Sequence, residues 1–181
     1  MLRLLAVTGL VLCAGVAPAQ PTTSRGENKK IVGGNFDASS QERAPEGGLL
    51  IGLEITLGKF FDRDVVQSLR PIYRTPKGEE VKGRQYGTPK GQVFIAKAKA
   101  GYAVGGVKLR RGLLIDGLSV IFMKTKGDTL DRRNAYRTVW IGNKIGGSPS
   151  TLAGDGTPVV GFAAKTSANN KECSNMGLIL K

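Results

Sequence analysis

The sequence predicts an all-β domain, on three observations. Short apolar runs rich in Val, Ile, Leu and aromatics recur between glycine-containing turn signals, 26 glycines punctuate the chain, and no helical stripe of comparable length appears. The hydrophobic share of 40% exceeds what a disordered tail carries. One domain is expected, since 181 residues, about 160 without the leader argued below, match a single core.

Residues 1–19, MLRLLAVTGLVLCAGVAPA, read as a signal peptide. Arg3 is a small positive start, Leu4 to Val16 is apolar, and Ala17-Pro18-Ala19 has the small-residue cleavage pattern, which predicts cleavage before Gln20. The alternative is an uncleaved anchor, but the apolar run falls short of the ~20 residues that span a bilayer. Bulky Leu12 in front of Cys13 argues against a lipoprotein. Residues 20–30 are Pro, Thr, Ser, Asn and charge without periodicity, the composition of a flexible arm. The folded domain is expected over residues 31–181.

Strands are expected at Leu49 to Leu57, Val65 to Arg74, Gln92 to Lys99, Tyr102 to Leu109, Leu114 to Lys124, Thr138 to Gly142, Val159 to Ala164 and Gly177 to Leu180. Turns are expected at Gly58-Lys59, Pro76-Lys77-Gly78, Lys126-Gly127-Asp128 and Asp155-Gly156, because glycine and proline supply the φ values that tight connections need. Alternation marks Ala103, Val107 and Leu109 against Lys108 and Arg110, and Val93 and Ile95 against Phe94, Ala96 and Ala98. A faint internal echo links Gly48-Leu49-Leu50-Ile51 to Gly112-Leu113-Leu114-Ile115, each followed by an acidic pair, Asp62/Asp64 and Asp128/Asp131.

Composition excludes several chemistries. With no histidine and only Cys13 and Cys173, neither a Ser-His-Asp nor a Cys-His nucleophile can be built, nor a histidine-based zinc site. The same absence removes a trypsin-like reading of Ile31-Val32-Gly33-Gly34. Gly142 to Gly147 lacks a Gly-Lys-Ser/Thr ending and opens no helix, so it is no phosphate loop. The pairs Asp62/Asp64, Glu79/Glu80 and Asp128/Asp131 adjoin glycine turns, where acids cap and solvate, so no metal, cofactor or catalytic role is assigned. Trp140 is either a packing anchor between Val139 and Ile141 or a sugar-stacking platform, packing being favoured. Removing the leader takes Cys13 and leaves Cys173 alone, expected buried and inert, the alternative being an intermolecular handle.

The net charge is +13, and +12 without Arg3. Residues 70–111 hold eleven Lys or Arg against two acids, Glu79 and Glu80. If their strands shared one sheet, Lys97, Lys99, Lys108 and Arg110 would form a cationic face for sulfated or uronic polymers; the alternative is a solvated face that only solubilises. Export turns that charge toward glycans, envelope polymers or a membrane surface without a spanning segment, and away from nucleic acid, for which aromatic platforms are also sparse.

The order of motifs resembles the jacalin-related lectins. Gly33-Gly34-Asn35-Phe36-Asp37 is similar to the family's glycine pair with an aromatic and an acid; Leu49 to Tyr73 resembles its first hairpin; Gly78 and Gly87 match its glycine turns. Gly101 to Val107, Asp116 to Phe122, Pro158 to Phe162 and Met176 to Leu180 follow in the family's order. The resemblance spans roughly Val32 to Leu180. It implies a β-prism of three antiparallel Greek-key-like sheets with pseudo-threefold symmetry, and a non-enzymatic carbohydrate-binding module. The implied ligand site joins Gly33 and Gly34 to the closing loop, where Lys165, Asn169, Asn170, Glu172 and Ser174 stand. Ser174 occupies the place of the family's aspartate, and a neutral acceptor makes hydrogen bonds about half as strong as a charged one. Glu172 is the substitute at hand. A structural prism that has lost sugar binding is the other reading of this loop.

Overall fold

The computed structural model describes residues 30–181, so the expected signal peptide, its expected cleavage point and the expected arm up to residue 29 lie outside the described residues. Fourteen strands follow. They are β1 Ile31–Val32, β2 Gln41–Arg43, β3 Leu49–Phe60, β4 Arg63–Arg74, β5 Glu80–Lys82, β6 Tyr86–Gly87 and β7 Gln92–Lys97. The second half holds β8 Tyr102–Arg111, β9 Ile115–Lys126, β10 Thr129–Arg137, β11 Ile141–Gly142, β12 Ser150–Ala153, β13 Val159–Thr166 and β14 Cys173–Leu180.

Three sheets form a prism, each built on a long central hairpin. The orders are β1-β14-β13-β2, β5-β4-β3-β7 and β10-β9-β8-β12, with β6 added to β4 and β11 to β9. The central hairpins β3–β4, β8–β9 and β13–β14 are therefore equivalent, and the expected three-sheeted β-prism is what the chain forms. All their pairings are antiparallel.

The threefold repeat has a local physical cause. Each hairpin is bulged near the start of its first strand, between Leu50 and Gly52, Val104 and Gly106, and Val159 and Gly161. The glycine after each bulge lies against the neighbouring edge strand. A Cβ there would sit 2.6 Å from the Ala96 carbonyl oxygen at Gly52, 2.8 Å from that of Leu152 at Gly106, and 2.5 Å from that of Glu42 at Gly161. No side chain fits at any of the three. The bulge redirects the strand, and the next residues, Leu53, Val107 and Phe162, are wholly buried. Together with Leu69, Leu118, Phe122 and Leu178 they belong to one core shared by all three sheets.

Several expectations are corrected. Gly58-Lys59 is no turn: both residues stay in β3, paired to Val65 and Asp64, and the chain reverses at Phe61, φ 52°, and Asp62. Of Thr138 to Gly142 only β11 is strand. The two Gly-Leu-Leu-Ile segments are not equivalent, because the first enters β3 at Leu49 whereas the second spans the β8–β9 connection and enters β9 only at Ile115. In β7 the buried set is Ala96, with Phe94 partly covered, while Val93 and Ile95 face solvent. The turns at Pro76-Lys77-Gly78, Gly127-Asp128 and Asp155-Gly156 are present as turns or bends.

Candidate functional site

The glycine pair docks on the last strand. Gly33 (φ +112°) and Gly34 (φ +141°) hold conformations that side chains rarely adopt, and a Cβ on Gly33 would lie 2.5 Å from the Met176 carbonyl oxygen. Asn175 fastens the junction: its Nδ2 donates to the Gly33 carbonyl at 3.2 Å, while its Oδ1 accepts from the Met176 N–H at 2.9 Å. The Phe36 ring covers Gly177. Lys165, paired with Asn175 across β13–β14, carries its Nζ to 5.9 Å from that ring.

The closing loop, residues 167–172, is tied mostly to itself. The Ser167 hydroxyl lies 2.7 Å from the Glu172 carboxylate and 2.6 Å from Asn169 Oδ1, which also accepts the Lys171 N–H at 3.1 Å. Glu172 is buried. Asn170, in the left-handed region at φ 56°, accepts the Thr166 hydroxyl on Oδ1 at 2.7 Å. Ser174 is half-buried on β14. Thr88 anchors the loop from outside, its N–H donating to the Lys171 carbonyl at 3.0 Å. Beneath it the Cys173 thiol is free and buried against the Tyr86 and Gln67 carbonyls, and burial pushes its pKa up to about 12.

Beside this junction opens a concavity of about 510 Å³, lined among others by Asp37, Ser40, Arg84, Lys165, Thr166 and Asn170. Of the residues the sequence singled out, Lys165 and Asn170 line it; Gly33, Gly34, Asn169, Glu172 and Ser174 do not. Asp37 brings an exposed carboxylate from the extended residue that precedes the 3-10 turn Ala38–Ser40. Arg84 is held in the lining by stacking on Tyr86, 4.5 Å from guanidinium carbon to ring centroid, and by donating to the Ser39 carbonyl. Sequence reasoning counted Arg84 only within a basic run. Nothing in the local sequence places it near residue 165; the pairing of β6 with β4 and the contact of Thr88 with the closing loop do so.

The expected four-residue cationic face is not formed. Lys97 ends β7 in one sheet, whereas Lys108 and Arg110 lie on β8 in another. Lys97 is bonded to Glu80 at 3.0 Å. Lys99 stands in the β7–β8 connection over the rings of Tyr102 and Tyr136, at 4.5 and 4.9 Å from their centroids. Alternation within β8 is as expected, with Val107 and Leu109 inward and Lys108 and Arg110 outward.

Among the described residues no three or more Cys, Asp or Glu gather to hold a metal ion, and no helix is long and apolar enough to cross a membrane. The fold has close counterparts among solved structures. Artocarpin in complex with mannotriose superposes with a TM-score of 0.62 at 11% identity, covering 86% of this chain and 99% of that one. The agglutinin of Calystegia sepium gives 0.61 at 12% identity, covering 87% and 99%. A mannose-binding jacalin-related lectin from Ananas comosus gives 0.58 at 16% identity, covering 84% and 96%. The chain has the β-prism fold of the jacalin-related lectins. No family model matches the sequence, and no curated protein does. At such identities it is the backbone path that is shared, and function has to be argued from the site.

Proposed function

We propose that the chain is an exported, non-enzymatic module that binds carbohydrate in the concavity between Asp37, Arg84, Lys165 and Asn170. The observation that carries this reading is the concavity itself, which sets a carboxylate, two cations and an amide around a space large enough for a sugar ring. Asp37 supplies the charged acceptor that the closing loop lacks at Ser174. Asn170 spends its Oδ1 on Thr166, leaving Nδ2 as a donor. Two of the similar solved structures are described as a mannotriose complex and as mannose-binding, which makes a neutral hexose the first ligand to try.

Titration of the mature protein with mannotriose by calorimetry is the test. Asp37→Asn is expected to weaken binding about 10- to 100-fold, the loss of one or two charge-assisted hydrogen bonds, and Asn170→Ala by less. No heat with mannotriose and no signal on a neutral-glycan array would defeat this reading and favour the prism that has lost sugar recognition. Export is read from the same protein: secreted material should begin at Gln20.

A further inference from the structure

The outer face of the β10-β9-β8-β12 sheet carries a second concavity, about 390 Å³, with a different chemistry. Lys108, Arg110, Arg137 and Lys144 line it with Trp140 and Ser119, and no carboxylate does. These cations come from three separate stretches of chain. Lys108 and Arg110 project from β8, opposite Ser119 and Gly117 of β9; Arg137 ends β10, and Lys144 lies in the loop after β11.

The wall is built to hold the indole beside the charges. Gly117 leaves room for Trp140, since a Cβ there would lie 2.6 Å from the indole nitrogen. That nitrogen donates to the Asn143 carbonyl at 2.9 Å. Thr138 clamps the segment before it, its N–H donating to the Val120 carbonyl at 3.0 Å and its hydroxyl oxygen accepting the Val120 N–H at 3.1 Å. Arg110 ties the following loop down by donating to the Gly147 carbonyl at 2.9 Å. Trp140 is thus half-buried at the edge of an open cationic hollow, neither a core anchor nor a free platform.

Among the described residues none of these four cations forms an ion pair, whereas Lys59, Lys77, Lys82, Lys97 and Lys181 all do. Positive side chains gathered without a counter-charge repel one another, and an anion entering the hollow relieves that repulsion. An aromatic face beside cations suits a ring that offers it an apolar C–H face while carrying negative charge at its rim.

We propose that this hollow is a binding site for an anionic saccharide, a pyranose bearing sulfate or carboxylate, set against Trp140 and neutralised by Lys108, Arg137 and Lys144. It is separate from the Asp37 concavity and does not depend on that reading. The chain has a single tryptophan, so its emission reports on this hollow alone.

Fluorescence titration of the mature protein with a trisulfated heparin-type disaccharide at low salt is the experiment. A saturable change is expected, at least tenfold weaker for the unsulfated disaccharide and weakened several-fold by 0.3 M salt. Arg137→Gln and Lys144→Gln, both at exposed positions, should each weaken it about three- to tenfold. Lys97→Gln and Asp37→Asn should leave it unchanged. Equal loss in Lys97→Gln would overturn the proposal, because diffuse charge would then suffice. So would an equal response to inorganic sulfate, which has no ring, or equally tight binding of a single-stranded oligonucleotide. Loss of mannotriose binding with this response intact would defeat the first site and leave the second standing.

Discussion

Replacing Phe162 with alanine is expected to lower the stability of the fold by about 3–5 kcal/mol, the usual cost of emptying a buried aromatic site. Phe162 has no exposed surface and follows the bulge glycine Gly161, the position held by Leu53 and Val107 in the other two sheets. It is the largest of the three. Its ring meets Tyr86 edge-on with centroids 5.6 Å apart, and Tyr86 belongs to a strand of a different sheet. The pair therefore joins two sheets, and such pairs add roughly 0.5–1.5 kcal/mol beyond their buried area. Urea unfolding monitored through Trp140 checks this. A cost below about 1 kcal/mol would mean that the sheets do not share a core at this point. Because Tyr86 also lines the Asp37 concavity, the proposed carbohydrate site predicts that the variant loses mannotriose affinity even where it remains folded.

Stability is expected to collapse on the alkaline side. Burial raises the Cys173 thiol to about 12, and burial, helped by the charge of Glu42, also raises the Tyr73 hydroxyl well above its ordinary value. In the unfolded chain these groups ionise near ~8.5 and ~10. Below those values the fold keeps their full contribution. Above them the unfolded chain releases protons that the folded chain retains, so unfolding becomes easier by about 1.4 kcal/mol per pH unit for each group. The window opens near pH 9 for Cys173 and near pH 10 for Tyr73, giving a combined loss of about 4–5 kcal/mol by pH 11. Urea midpoints measured from pH 7 to 11 test the slope. Cys173→Ala should flatten the portion between pH 9 and 10, and an unchanged slope there would refute the assignment. The same burial should keep Cys173 inert to thiol reagents at pH 8 until the protein unfolds.

The sheet architecture was legible where strands are apolar and two-faced. β3, β4, β8, β9, β13 and β14 all declare themselves through runs such as Leu49 to Leu57 and Val159 to Ala164. β10 did not, because Asp131, Arg132, Arg133 and Asn134 give no apolar period; Leu130 alone of its residues is buried, and backbone pairing to β9 supplies the rest. The Phe61 reversal was hidden because its left-handed residue is not a glycine. The true repeat, Gly52, Gly106 and Gly161, recurs every 54 or 55 residues as one glycine before an apolar residue, too sparse to stand out among 26 glycines. For the site, the meeting of the glycine pair with the final strand was foreseeable. Arg84 beside Lys165, and Arg137 and Lys144 beside Lys108, depend on register and strand order, which no local pattern encodes.

The sheet that carries the glycine pair is assembled from segments far apart in sequence: Ile31 pairs with Ile179, and Gln41 with Ala163. Among the described residues neither β1 nor β2 has any other partner strand. A ribosome must therefore deliver the chain as far as residue 180 before the third wall of the prism can be raised, and closing so long a loop is slow.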